Sequence, residues 1–207
     1  MSANRRPFLL GLTGGIATGK TTASATLREL GAHVIDADEI SRSLTAEGGE
    51  ALPAIREVFG DDVFCANGTL NRSALGRIVF ADQQRRNALE SIIHPAIQRR
   101  MMDEIDRAAQ AEETLCVLTV PLMFETGMDA LCDRIWVTTV DPATQLQRVM
   151  QRDNLDAQQA QARIDSQMNA EEREQRADLL IRTDRSMQDT AREITKRYNE
   201  LLSGLQQ

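Results

Sequence analysis

The stretch FLLGLTGGIATGKTT, Phe8 to Thr22, restricts the possible folds of this chain more than any other segment. Inside it, Gly14 to Thr21 reads GGIATGKT and satisfies the pattern G-x-x-x-x-G-K-[ST] in full. Gly14 and Gly19 permit backbone angles that a β-carbon would penalise, so the loop can wrap a phosphate chain with its N–H groups turned inward. Lys20 adds a positive charge, and Thr21 is placed to offer a hydroxyl to Mg²⁺. A helix starting here would point its positive dipole end at the same phosphates. The flanks agree with this reading. Phe8 to Leu12 is a short apolar run suited to a buried parallel strand, and Thr22 to Leu30 is helix-compatible up to a stop at Gly31. Strand, loop and helix therefore occur in the order a nucleotide-phosphate site requires.

The next short apolar strand, His33 to Asp38, ends in two carboxylates, Asp36 and Asp38. The carboxyl ends of parallel strands border the ligand crevice of an open α/β sheet, which puts these acids on the side of the phosphate loop. They could also be plain caps of the following helix. If strand geometry persists through both, their side chains point to opposite faces. Residues 47–110 contain no good buried strand and read as helices separated by breakers: Glu50 to Phe59 before Gly60, a turn at Asn67-Gly68, and Arg72 to Phe80 with Leu75, Val79 and Phe80 on one face. His94-Pro95 should interrupt the next helix before it resumes at Ala96. His94 reads as structural, because nothing near it in sequence completes a base or metal constellation.

Two further strands follow, Leu115 to Val120 and Arg134 to Asp141, with Pro142 fitted to the first turn of the next helix. Strands interleaved with helices imply a parallel sheet. From Gln145 to Arg176 the chain turns very polar, and Leu155, Ala160, Ile164 and Met168 offer only a thin apolar stripe. That is either a solvated helix pair or a mobile lid whose Arg148 and Arg152, one helical turn apart, close over ATP phosphates. Leu179 to Ile181 supplies a last strand, and Met187, Ala191, Ile194, Tyr198 and Leu201 line a closing helix.

Composition excludes several classes. A chain of 207 residues with net charge −7 can bury a core without a partner, so we expect a monomer or weak homo-oligomer, and it lacks the basic excess of a broad nucleic-acid footprint. Cys65, Cys116 and Cys132 lie far apart, without metal-ligand spacing, and read as small buried apolar residues. The apolar stretch after Arg5-Arg6 is too short for a signal peptide, so no membrane association and a cytoplasmic location are expected.

Taken in order, the motifs resemble the dephospho-CoA kinase family: Leu12 to Ile16 with Gly19-Lys20-Thr21, Val34 to Asp38, Leu70 with Arg72 and Val79-Phe80, His94-Pro95, Val120-Pro121-Leu122 with Phe124-Glu125, Arg148 with Arg152-Asp153, Arg163-Ile164 with Gln167, and Ala177-Asp178. The resemblance implies the three-layer α/β fold of P-loop NTPases: a nucleotide-binding core (1–38, 112–147 and 177–207) with a five-stranded parallel sheet, a helical substrate-binding insertion (39–111) and a helical lid (148–176). It implies ATP and Mg²⁺, and transfer of the γ-phosphate to the ribose 3′-hydroxyl of dephospho-CoA. Gly15, Ile16, Ala17, Thr18, Gly19, Lys20, Thr21 and Thr22, with Arg148 and Arg152, would then surround ATP. By this resemblance Asp38 would be the base and Arg148 would reach the phosphates, with Lys20 of the loop acting on the transferred phosphoryl group; Asp36, nearer the strand body and the loop, is then the candidate for the metal's outer shell beside Thr21. The chain departs from the family pattern at Ala17-Thr18 (usually Gly-Ser), Asn71 (usually Asp) and Arg182-Thr183-Asp184 (usually Asn-x-Gly, near the expected adenine). A GTP switch is disfavoured, since neither D-x-x-G nor N-K-x-D occurs. A kinase of another small metabolite, such as a nucleoside or shikimate, shares the loop, the acidic strand end and the lid.

Overall fold

The computed structural model describes residues 6–205. Five strands, β1 (Phe8–Gly14), β2 (His33–Asp36), β3 (Leu115–Thr119), β4 (Arg134–Thr139) and β5 (Leu179–Arg182), form one parallel sheet in the order β2-β3-β1-β4-β5. β1 occupies the centre because its apolar run is buried on both sides. The chain leaves β1 for β2, beyond β3, but leaves β3 for β4 on the other side of β1. Connections that diverge from neighbouring strands open a crevice at the strands' carboxyl ends, and the Gly14–Lys20 loop begins there.

On one face of the sheet, Leu10 and Leu12 of β1, Val117 of β3, Trp136 of β4 and Ile181 of β5 meet Ala23 and Leu27 of α1 (Lys20–Glu29) and Ile194 and Tyr198 of α9 (Met187–Leu205). Each large apolar side chain buried this way contributes about 1.5–3 kcal/mol, enough to fix the register of the central strands. On the other face Gly11 lets the sulfur atoms of Cys132 and Met123 reach the strand, since a β-carbon there would lie 2.8 Å from each. The chain also carries α6 (Pro142–Asp153), α7 (Ala157–Asp165) and α8 (Ala170–Gln175) before β5. Pro142 does stand in the first turn of α6, which Asp141 caps by accepting from the Thr144 N–H at 2.9 Å.

Two compact units divide the chain, one formed by the described parts of Met1–Asp36 and Ile105–Gln207, the other by Ala37–Glu104. The second holds α2 (Ala37–Leu44), α3 (Leu52–Phe59), α4 (Arg72–Ala81) and most of α5 (Gln83–Gln110). Gly60 ends α3 at φ 79°, the Asn67-Gly68 turn forms with Gly68 at φ 82°, and Asn71 caps α4 through the Ala74 N–H at 3.0 Å.

Four expectations fail here. α5 runs through Pro95 without a break, because the hydrogen bond lost at the proline is outweighed by the buried face of Ala96, Met101, Ile105 and Ala108 that continuing the helix creates. Phe80 is 77% exposed instead of joining Leu75 in the interior. β2 stops at Asp36 and α2 starts at Ala37, so strand alternation does not reach Asp38. Cys65 is exposed beside the Asn67-Gly68 turn, whereas Cys116 and Cys132 are enclosed and burial pushes both thiols up to about 12. Iodoacetamide at pH 8 should therefore alkylate the native chain at Cys65 alone, counted by mass spectrometry, with the other two reacting only after unfolding.

Candidate active site

The loop between β1 and α1 needs three glycines, two for backbone angle as well as space and one for space alone. Gly14 takes φ 155° and lies against Thr138, and Gly19 takes φ 91° with Thr183 so close that a β-carbon would sit 2.9 Å from its methyl group. Gly15 has no positive φ, but a β-carbon there would lie 2.8 Å from a guanidinium nitrogen of Arg173 and 3.1 Å from the amide nitrogen of Gln145. Ala17, at φ 58°, occupies the left-handed region without being glycine. Inside the loop the Thr18 hydroxyl donates to the Gly15 carbonyl at 2.8 Å and shares a 2.8 Å hydrogen bond with the Thr138 hydroxyl. The Lys20 ammonium donates to the carbonyls of Gly14 at 2.7 Å and Gly15 at 3.2 Å, which holds the charge at the loop.

Side chains from distant parts of the chain grip this loop from outside. The Ile16 carbonyl accepts from Gln145 Nε2 at 2.9 Å, and the Ile16 N–H donates to Gln167 Oε1 at 2.7 Å. Thr183, just past β5, donates from its hydroxyl to the Thr18 carbonyl at 2.9 Å. Arg148 donates to the Thr183 carbonyl at 2.6 Å, to its hydroxyl at 3.0 Å and, more weakly, to the Ala17 carbonyl at 3.4 Å. Arg173, only 6% exposed, donates to the Met168 carbonyl at 2.5 Å, and burial draws its pKa below the ordinary arginine value against the opposing pull of Glu125 and Glu174.

The predicted residues Gly15 to Thr22 thus form one loop and the first turn of α1, and Arg148 joins them through Ala17 and Thr183. Arg152 does not: it pairs with Asp153 at 2.9 Å, a carboxylate that Arg163 also reaches and that both guanidinium groups, Arg152 first, hold below the usual carboxylate range. Asp36 is half-buried at the end of β2, paired across to Thr119, which in turn pairs with Leu12. That places it at the carboxyl edge of the sheet, about 10 Å from β1 by two inter-strand spacings. Asp38 is exposed in the first turn of α2. The segment read as solvated helices or lid is tied down by polar contacts: Met168 N–H to Glu125 at 3.2 Å, Thr139 hydroxyl to Glu174, and Arg176 to Asp129 at 2.6 Å while it stacks 4.2 Å over Phe124.

Four participants escape a reading of the sequence in these roles: Gln145, Gln167, Arg173 and Thr183. Only Gln167 leaves a signal, as one of the motif residues that carry the family resemblance. The others are polar residues in a polar stretch or at a strand end, indistinguishable by pattern from solvated ones.

The sequence matches the family model described as dephospho-CoA kinase over residues 8–189. It is 38% identical over 185 residues to the dephospho-CoA kinase of Listeria monocytogenes, covering 89% of this chain and 92% of that protein. Among solved structures, a Thermus thermophilus protein superposes with TM-score 0.78 at 32% identity, covering 95% of this chain and 99% of the other. Dephospho-CoA kinase from Campylobacter jejuni does so with TM-score 0.67 at 28% identity, over 93% and 96%. No helix among the described residues is long and apolar enough to cross a membrane.

Because Ala17 bears a β-carbon at φ 58°, Ala17→Gly should stabilise the ligand-free chain by about 1 kcal/mol. Denaturant unfolding with and without the substitution measures this, and an unchanged or lowered midpoint would show that the strain is relieved elsewhere.

Proposed function

Because the chain belongs to the dephospho-CoA kinase family, we propose that it transfers the γ-phosphate of ATP to the ribose 3′-hydroxyl of dephospho-CoA, giving coenzyme A and ADP. The observation that carries the reading to particular residues is the Lys20 ammonium resting on the carbonyls of Gly14 and Gly15. An anionic phosphate chain laid along the loop would offer this ammonium full negative charge where the carbonyls offer only a dipole.

In the reaction the 3′-oxygen attacks the γ-phosphorus, the bond to the bridging oxygen of ADP breaks, and the hydroxyl proton passes to Asp38, which is exposed to receive it. Loop N–H groups and the start of α1 face the charge that builds on the phosphoryl oxygens and the leaving ADP, with Lys20 beside them. Arg148 stands where nucleotide meets loop, between Ala17 and Thr183. For Arg152 to reach the phosphates it must leave Asp153, and a pair whose arginine is 53% exposed is worth no more than about 1 kcal/mol, so a triphosphate can outbid it. One hydroxyl, Thr21, and one carboxylate, Asp36, completed by phosphate oxygens and water, fit the all-oxygen shell that Mg²⁺ takes. Bound there, the ion would neutralise charge between the β- and γ-phosphates. In this reading the helical part 39–111 supplies the acceptor site, and 148–176, already bonded to the loop through Gln167, covers ATP.

The test of the reaction is ADP release against dephospho-CoA, adenosine, uridine and shikimate; brisk turnover of another acceptor without coenzyme A formation would overturn it. Lys20→Ala should lower phosphoryl transfer by orders of magnitude, and near-normal turnover would remove the loop from catalysis.

The two acids should separate by metal dependence. Asp38→Asn should reduce kcat about 10²- to 10⁴-fold with ATP binding nearly intact, the usual worth of a general base. Asp36→Asn should instead raise the Mg²⁺ concentration for half-maximal rate. If added Mg²⁺ restored Asp38→Asn to full rate, the two roles would be reversed.

A further inference from the structure

Among the described residues, Arg173 is the sole charged side chain in the buried class. Taking a guanidinium out of water is costly, and an apolar side chain of similar volume would serve packing alone at least as well. The carboxylates whose charge it feels are occupied by other donors: Glu125 accepts from the Met168 N–H and Glu174 from the Thr139 hydroxyl. The guanidinium instead fills the space that a β-carbon of residue 15 would take. Its hydrogen bond to the Met168 carbonyl fixes the turn that carries Gln167, whose amide oxygen holds the Ile16 N–H. With Gln145 on the Ile16 carbonyl, three side chains clamp the Gly15–Ile16 segment.

We propose that Arg173 is a positioning residue for ATP: it sets the Gly15–Ile16 segment of the phosphate loop from behind and supplies a fixed positive charge to the phosphate chain bound in front. A buried cation is tolerated there because the ligand is itself an anion, and Gly15 is glycine so that the cation can approach. This rests on the kinase reading only in taking the loop's ligand to be a nucleotide phosphate.

The experiment titrates ATP against the full chain by displacement of a fluorescent ATP analogue, with no acceptor present, in parallel with steady-state rates. Arg173→Gln keeps a donor for the Met168 carbonyl and removes the charge, whereas Arg173→Met removes both. Each should weaken ATP binding by roughly 10-fold or more, the worth of a charge-assisted contact, and raise KM for ATP. At saturating ATP, kcat should stay within about 3-fold of the parent, KM for dephospho-CoA should not move, and Arg173→Lys should recover most of the affinity. A purely structural arginine would lower thermal stability and leave ATP affinity alone. That outcome in Arg173→Gln overturns the proposal, and this variant decides the matter if Arg173→Met fails to fold. Should the parent bind ATP but phosphorylate a different acceptor, the assigned reaction falls and the role of Arg173 is still decided by the titration.

Discussion

A single residue, Ile16, shows what the phosphate loop needs from the rest of the chain. Its N–H is held by Gln167 and its carbonyl by Gln145. A loop meant to present N–H groups to a ligand cannot use them on itself, and left-handed residues at positions 17 and 19 leave it short of regular internal bonds. Each such position in a non-glycine residue costs on the order of 1–2 kcal/mol, comparable to the net worth of one hydrogen bond. External side-chain bonds therefore add to the loop's own bonds from Thr18 and Lys20 in holding its shape.

The sheet order explains why those bonds come from where they do. With β1 central, the loop that follows it is bordered on the β4 side by the end of β4 and, beyond that, the end of β5. Thr138 lies on β4, Gln145 and Arg148 on the helix that β4 feeds, and Thr183 directly after β5. Gln167 and Arg173 reach the same place because α8 packs on β4. The outer strand β2 lies on the other side of β1, so its terminal Asp36 is separated from the loop strand by β3. Grip on the loop and the acidic edge thus belong to opposite halves of the crevice.

How much of this was legible in the sequence follows from the range of each interaction. Strand β1, its loop and α1 are contiguous, so spacing and residue type carry the information, and the buried strands declare themselves as apolar runs. The contacts of Gln145, Arg148, Gln167 and Thr183 with the loop span more than a hundred positions, and nothing local distinguishes a glutamine facing Ile16 from one facing water. Arg148 and Arg152 show the limit of helical periodicity: one turn apart, they share a face, yet one reaches Thr183 and the other Asp153. Pro95 and Phe80 fail for the opposite reason, since local propensity was overruled by burial in one case and an apolar residue was left outside in the other.

The same contacts say how the loop can respond to a ligand. Lys20 and Arg148 are both engaged with carbonyl oxygens, which carry only partial charge. A phosphate oxygen carries a fuller negative charge than a carbonyl, so it can compete for either cation. Gln145 and Gln167, by contrast, are neutral and gain little from an anion nearby, so they have no reason to let go of Ile16. The loop is therefore shaped by Gln145, Gln167 and the Thr183 hydroxyl, with Arg173 held behind Gly15, while Lys20 and Arg148 are the cations placed to meet a nucleotide.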